Sequence, residues 1–124
     1  MVGFESTGTV ESRMTRAGAT QIPCRRLDDV LGKTGASFIK MDIEGAEYDA
    51  LCGAAEVIRR HHPVLSICLY HRQADVWKIP LLIHSMAENY RLFLRRYSDD
   101  CWEQVCYAIP ENRLLCDDSG GCRA

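Results

Sequence analysis

FIKMDIEGAE, residues 38–47, reads as an apolar strand that runs into two carboxylates, then a glycine, then the opening of a helix. In an α/β sheet a parallel strand delivers its carboxyl end to the crevice where ligands bind, so Asp42 and Glu44 are expected at the mouth of a site. Gly45 lets the chain turn sharply from strand to helix. Ala46 and Glu47 then open a helix whose amino-terminal dipole tolerates acidic side chains.

Downstream, Leu51, Ala54, Ala55 and Ile58 recur at helical spacing, with Arg59 and Arg60 in the last turn and Pro63 beyond, which predicts one helix from Ala46 to about His61. Val64 to Tyr70 is a continuous apolar run, the pattern of a strand buried on both faces of a parallel sheet. Its end, Tyr70-His71, is expected in the same crevice as Asp42. A second helix is predicted from Pro80 to about Asn89, with the proline in the first turn, where a missing amide costs little. Tyr90 to Tyr97 and Glu103 to Ile109 read as an antiparallel hairpin joined by a Ser-Asp-Asp turn.

Upstream the pattern is weaker. Leu27, Val30 and Leu31 make a helical turn closed by Gly32, Ile22 to Arg25 reads as a short strand, and residues 3–21 as an irregular or hairpin segment. The order of elements predicts a three-layer α/β sandwich whose sheet is mostly parallel, with one reversed strand at an edge. One domain over residues 1–110 is expected, followed by a polar, disordered tail over 111–124.

Composition narrows the partners. At 47% hydrophobic content, 124 residues can build one real core. A net charge of −2 and scattered pairs (Arg25-Arg26, Arg59-Arg60, Arg95-Arg96) supply no basic stripe for nucleic acid. No apolar run reaches the ~18 residues of a membrane span, and the first residues lack the pattern of a signal peptide, so a cytoplasmic chain is expected. The seven cysteines are odd in number and form no Cys-x-x-Cys, which argues against a zinc site and a disulfide framework. Cys52 and Cys68 are expected to be buried small hydrophobes, whereas Cys116 and Cys122 fall in the polar tail.

The motifs, taken in order, resemble those of the FkbM-type S-adenosylmethionine-dependent methyltransferases: residues 38–47, then Leu51-Cys-Gly-Ala54, Pro63, Tyr70-His71, Asp75 with Trp77, Ile79-Pro80, Tyr90, Leu94-Arg95 and Tyr97-Ser98. The likeness runs from about Leu27 to Ile109, and it implies a Rossmann-like methyltransferase fold ending in an antiparallel hairpin. Relatives in this branch tend to read Leu-Arg-His-Tyr-Ser where this chain has Arg96 in place of the histidine. A glycine-rich turn after a first strand and an acidic residue ending a second, which hold the cofactor in such folds, are missing, and Gly3, Gly8 and Gly18 are not spaced as that turn. The resemblance is thus to the carboxyl-terminal half of the domain, truncated at the N-terminus. It implies S-adenosylmethionine as cofactor, with weak or no binding by these residues alone. It also implies a small-molecule methyl acceptor, and a sheet edge open to a second copy or to the missing amino-terminal half.

Methyl transfer from a sulfonium is an in-line displacement in which the protein positions the acceptor and removes its proton. Asp42 suits orientation of an acceptor hydroxyl or of the cofactor's amino group. His71 suits the base, since an unperturbed imidazole titrates near ~6.5, and Glu44 assists or fixes the loop. Tyr70, Arg95 and Tyr97 are candidates for acceptor binding. Glu47 reads as an ordinary acidic residue at a helix start. His61-His62 reads as a helix end, and Trp77 and Trp102 as packing or lid residues. Asp42, Glu44 and His71 form too loose a signature to assign a metal. Three rivals rank lower. A phosphoacceptor receiver domain would need its acidic pair a full strand and helix ahead of Asp42, and Asp28-Asp29 stands too near. A metal-dependent nucleotide-sugar transferase would leave Tyr70-His71 and the terminal hairpin unexplained. A non-catalytic assembly module would pair through the open sheet edge.

Overall fold

The computed structural model describes residues 2–6, 12–15, 20–99, 103–116 and 122–123. Strands β1 (Val2–Ser6), β2 (Ser12–Thr15) and β3 (Thr20–Ile22) form a small antiparallel sheet in the order β2-β1-β3, the hairpin alternative for this segment, with the short strand ending at Ile22 instead of starting there. Next come α1 (Leu27–Leu31), β4 (Phe38–Met41), α2 (Glu47–Cys52), α3 (Ala55–His61), β5 (Val64–Cys68), α4 (Asp75–Met86), β6 (Tyr90–Arg96) and β7 (Gln104–Pro110). A 3-10 turn at Glu111–Arg113 and the paired strands β8 (Leu115–Cys116) and β9 (Cys122–Arg123) follow. Asp100, Cys101, Trp102, Gly8, Gly18 and residues 117–121 lie outside the described residues.

The main sheet has the order β4-β5-β7-β6, and only β4 and β5 are parallel neighbours. The expectation of a mostly parallel sheet is therefore wrong, as is a reversed strand at the edge. β7 is the reversed strand and it lies inside, between β5 and β6, so both of its pairings are antiparallel. Side-chain character explains the choice. β7 buries Val105, Cys106, Ala108 and Pro110, whereas β6 carries three arginines and exposes most of its length, which suits an edge that must resist further pairing.

The long helix expected over residues 46–61 is two helices, broken at Gly53-Ala54. The cause is distant in sequence: Asp28 Oδ1 accepts the Val57 N–H at 3.0 Å and so caps the start of α3, while the Asp28 N–H donates to Gly53 O at 3.0 Å. The break also corrects Cys52, which ends α2 on the exposed side; Cys68 is buried as expected. The second helix starts at Asp75, ahead of the expected Pro80, so the proline is interior and α4 forgoes one rung of its ladder. α1 closes at Gly32 with φ 50°, and α3 ends at His61, with His62 left-handed at φ 46°.

Leu51, Ile58, Leu65, Ile67, Leu69, Ile79 and Ile83 are fully buried between the sheet and the helices. β5 is covered on both faces, as its apolar run requires, while β4 buries only Ile39 and Met41 and leaves Phe38 and Lys40 exposed. The Tyr90 hydroxyl donates to Pro63 O at 2.7 Å inside the core, fixing β6 to the loop ahead of β5. Among the described residues no helix is long and apolar enough to cross a membrane.

Candidate active site

The parallel pair β4 and β5 ends side by side, Met41 opposite Ile67, so Asp42 and the segment from Cys68 to His71 emerge together. After Asp42 the chain turns through Glu44 at φ 56° and Gly45 at φ 90°, and the Ala46 N–H donates to Ile43 O at 3.2 Å. Left-handed backbone at a glutamate costs of the order of 1–3 kcal/mol and persists only where its surroundings enforce it. At 45 the φ of 90° favours glycine, and a Cβ there would lie 2.9 Å from Arg72 Nε, a contact that a shift of that flexible side chain relieves. No serine, threonine, asparagine or aspartate caps α2. Instead Glu47 in its first turn folds back, and its Oε1 accepts the Ile43 N–H at 2.8 Å.

That fold-back puts Glu47, fully buried, against His71. Oε1 is 2.9 Å from His71 Nδ1, while His71 Nε2 is 3.4 Å from both Asp42 Oδ1 and Glu44 Oε2. The imidazole is 8% exposed, and neither nitrogen makes an aligned hydrogen bond in this geometry. Asp42 Oδ1 also accepts the Tyr70 hydroxyl at 2.9 Å, and the Tyr70 and His71 rings are 4.2 Å apart. Burial, and then the hydrogen bond to Asp42, push the Tyr70 hydroxyl well above its usual range. Burial, followed by the nearby Asp42 charge, pushes the Cys68 thiol up to about 11, so this cysteine is no thiolate nucleophile near neutrality.

Asp75, in the first turn of α4, closes the cluster from behind and is buried, with Oδ2 unpaired. Burial first, and then the charge of Glu47, favour its acid form, against the opposing pull of Arg72, His71 and Lys78. A groove of about 480 Å³ between α2 and α4, lined in part by Tyr48, Arg72, Asp75 and Lys78, adjoins this side; Asp42, Glu44 and His71 do not line it. Asp42, Glu47 and His71 each bring a donor atom within 4.8 Å of the others, a spacing that would also admit a cation.

The structure thus brings together Asp42, Glu44, Tyr70 and His71, as the strand ends predict. Arg95 and Tyr97 are not part of this group. Arg95 pairs with Val105, which in turn pairs with Cys68, so Arg95 shares this end of the sheet but stands two strands beyond β5. The exposed Tyr97 hydroxyl is 2.8 Å from that of Tyr107. Glu47 and Asp75 were missed as site residues. The signal for Glu47 was available: a helix opening after a buried strand and a glycine turn, with no capping residue, needs an acceptor from its own first turn to close the loop.

A carboxylate-lined strand end, a mixed sheet and a closing antiparallel hairpin define an α/β fold. The model of the methyltransferase FkbM domain matches residues 3–101, and the chain belongs to this family. The crystal structure of methyltransferase FkbM from Methylobacillus flagellatus KT is similar, with a TM-score of 0.62 and 39% identity over 68% of this chain and 22% of that one. The chain therefore spans about a fifth of the length of that relative. No curated protein matches the chain.

Proposed function

We propose that this chain carries the proton-handling part of an S-adenosylmethionine-dependent methyltransferase that acts on a hydroxyl group of a small metabolite or saccharide. The observation that supports this reading most directly is His71 Nε2, 3.4 Å from both Asp42 and Glu44 at the end of the parallel strand pair. Asp42 orients the acceptor hydroxyl, His71 Nε2 takes its proton, and Glu44 lines the approach. Tyr70 holds Asp42 in place through its hydroxyl. Arg95 and Tyr97, further along the same end of the sheet, serve as outer contacts for the acceptor.

The donor set suits the methionyl end of the cofactor: Asp42 and Glu44, 41% and 37% exposed, present negative charge to a sulfonium and an ammonium. When bound, the cofactor supplies an electrophilic methyl group. The open outer edge of β4, which has no neighbour in the main sheet among the described residues, takes the remainder of the methyltransferase domain. The 22% coverage of the crystallised relative supports that assignment.

Calorimetric titration with S-adenosylhomocysteine, on this chain and on a version joined to upstream residues, tests the cofactor reading. The joined form is expected to bind at least tenfold more tightly. Transfer of isotopically labelled methyl to a set of hydroxylated acceptors, followed by product analysis, tests the chemistry. O-methyl products are expected, and products methylated only on nitrogen or carbon would overturn it. Light scattering reads the β4 edge: a concentration-independent monomer that also ignores added upstream residues would remove the docking assignment.

A further inference from the structure

The geometry points to Glu47 as the positioning residue for His71: its buried carboxylate holds the imidazole proton on Nδ1 and so turns the Nε2 lone pair toward the crevice. The inference rests on His71 acting as the base proposed above, and it concerns the residue behind that base. A carboxylate that touches no reacting atom can fix an imidazole's tautomer and orientation and stabilise the imidazolium that forms, as in the serine-protease triad.

Three observations carry it. Glu47 is fully buried, and its Oε1 lies 2.9 Å from Nδ1, within hydrogen-bond reach though out of line with the ring N–H, and nearer than either carboxylate facing Nε2. The same oxygen is anchored by the Ile43 N–H at 2.8 Å, so its position is set by the strand-to-helix turn and not by a free rotamer. Asp42 and Glu44, by contrast, are partly exposed and lie farther off, 3.4 Å from Nε2. In the neutral ring the single N–H therefore goes to the buried, fixed acceptor. When the acceptor's hydroxyl proton arrives at Nε2, the ring becomes imidazolium, with Glu47 as its buried counter-charge. Asp75 and its unpaired oxygen stand behind this pair, with Arg72 and Lys78 on the same side.

Long-range proton–nitrogen correlation spectra of the ¹⁵N-labelled chain, recorded without cofactor or acceptor, read the tautomer of His71 directly. The neutral ring of the unsubstituted chain is expected to carry its proton on Nδ1, and a proton found on Nε2 overturns the inference whatever any variant does. In Glu47→Gln, which keeps the shape and an oxygen for Ile43, loss of the charge is expected to lower the Nδ1–H to Nε2–H ratio by about tenfold. An unchanged ratio overturns the inference, as does a ratio that responds to Asp42→Asn as strongly as to Glu47→Gln. A purely structural Glu47 would change the denaturation midpoint without moving the ratio. Because no turnover is needed, failure to find methyl transfer would sink the proposed reaction and leave this result standing.

Discussion

Two places on the same end of the main sheet carry polar side chains that the sequence marks as functional, and they differ in how the fold treats them. Where β4 and β5 run parallel, the crossover through α2 and α3 and the start of α4 return the chain to the strand ends. Asp42, Glu44, Glu47, His71 and Asp75 meet there, Glu47 and Asp75 buried and Asp42 and Glu44 on the open side. Where β6 and β7 form a hairpin, no element among the described residues returns over the strand ends. Arg95, Arg96 and Tyr97 stay exposed, tied only to near neighbours such as Tyr107 and Asp99. Convergence of charge thus follows from topology: parallel strands need crossovers, and crossovers bring distant residues back to one end.

The largest expected contrast is in turnover. In the assembly proposed above, with the remainder of the methyltransferase domain supplied, His71→Gln should lower the methyl-transfer rate by about 10²- to 10⁴-fold, the usual contribution of a general base. Arg95→Ala should leave kcat within a few-fold and act on KM. If the two variants lose rate alike, the hairpin end belongs to the reacting centre and the contrast fails. In stability, Glu47→Ala should cost about 3 kcal/mol, because it leaves the Ile43 N–H without its acceptor and opens a hole in a buried site. Gly45→Ala should cost about 1–3 kcal/mol from its left-handed backbone alone, with Arg72 forced to move. Urea denaturation of both variants checks these values, and a loss below about 0.5 kcal/mol for either would mean that the turn does not hold the cluster.

How much of this was legible in the sequence follows the same division. Asp42 and His71 could be placed together because each ends an apolar run, and a parallel pair brings such ends side by side. Local pattern could not place Asp28, which caps α3 across 29 positions and splits what periodicity reads as one helix. It could not rank β6 against β7 for the inner position either, since a hairpin looks the same from either side. The burial of the two strands decides that, and with it the antiparallel majority of the sheet. Glu47 does stand in the first turn of α2, as read from the sequence, and the left-handed Glu44-Gly45 turn adds that its carboxylate points back under the strand end.

Asp75 gives a smaller effect with a definite sign. Burial first, and then the charge of Glu47, raise its pKa above the ordinary carboxylate value, so the folded chain retains a proton that the unfolded chain releases. The stability contributed by the acid form is therefore present at low pH and is lost as pH rises from the ordinary carboxylate range through the raised value. Asp75→Asn, neutral at every pH, escapes that loss. Its denaturation midpoint should gain on the unsubstituted chain over the range in which pH climbs above the ordinary carboxylate value of about 4. A gap that stays constant over this range would show that Asp75 ionises in the fold as freely as on the surface.

The smallest effect belongs to the hairpin. Tyr97→Phe removes a hydroxyl that lies 2.8 Å from Tyr107, in a side chain open to solvent. The bond to Tyr107 raises the Tyr97 hydroxyl's pKa, yet water replaces the lost partner without penalty. The variant should denature at the same urea concentration as the unsubstituted chain, and the ring spectrum of His71 should be unmoved. A shifted His71 signal would mean that the two ends communicate through β7, whose Val105 pairs with both Arg95 and Cys68, and that the acidic cluster extends its influence across the reversed strand. Identical spectra would confine proton handling to the parallel pair and leave the hairpin to contact whatever the acceptor carries beyond its reacting hydroxyl.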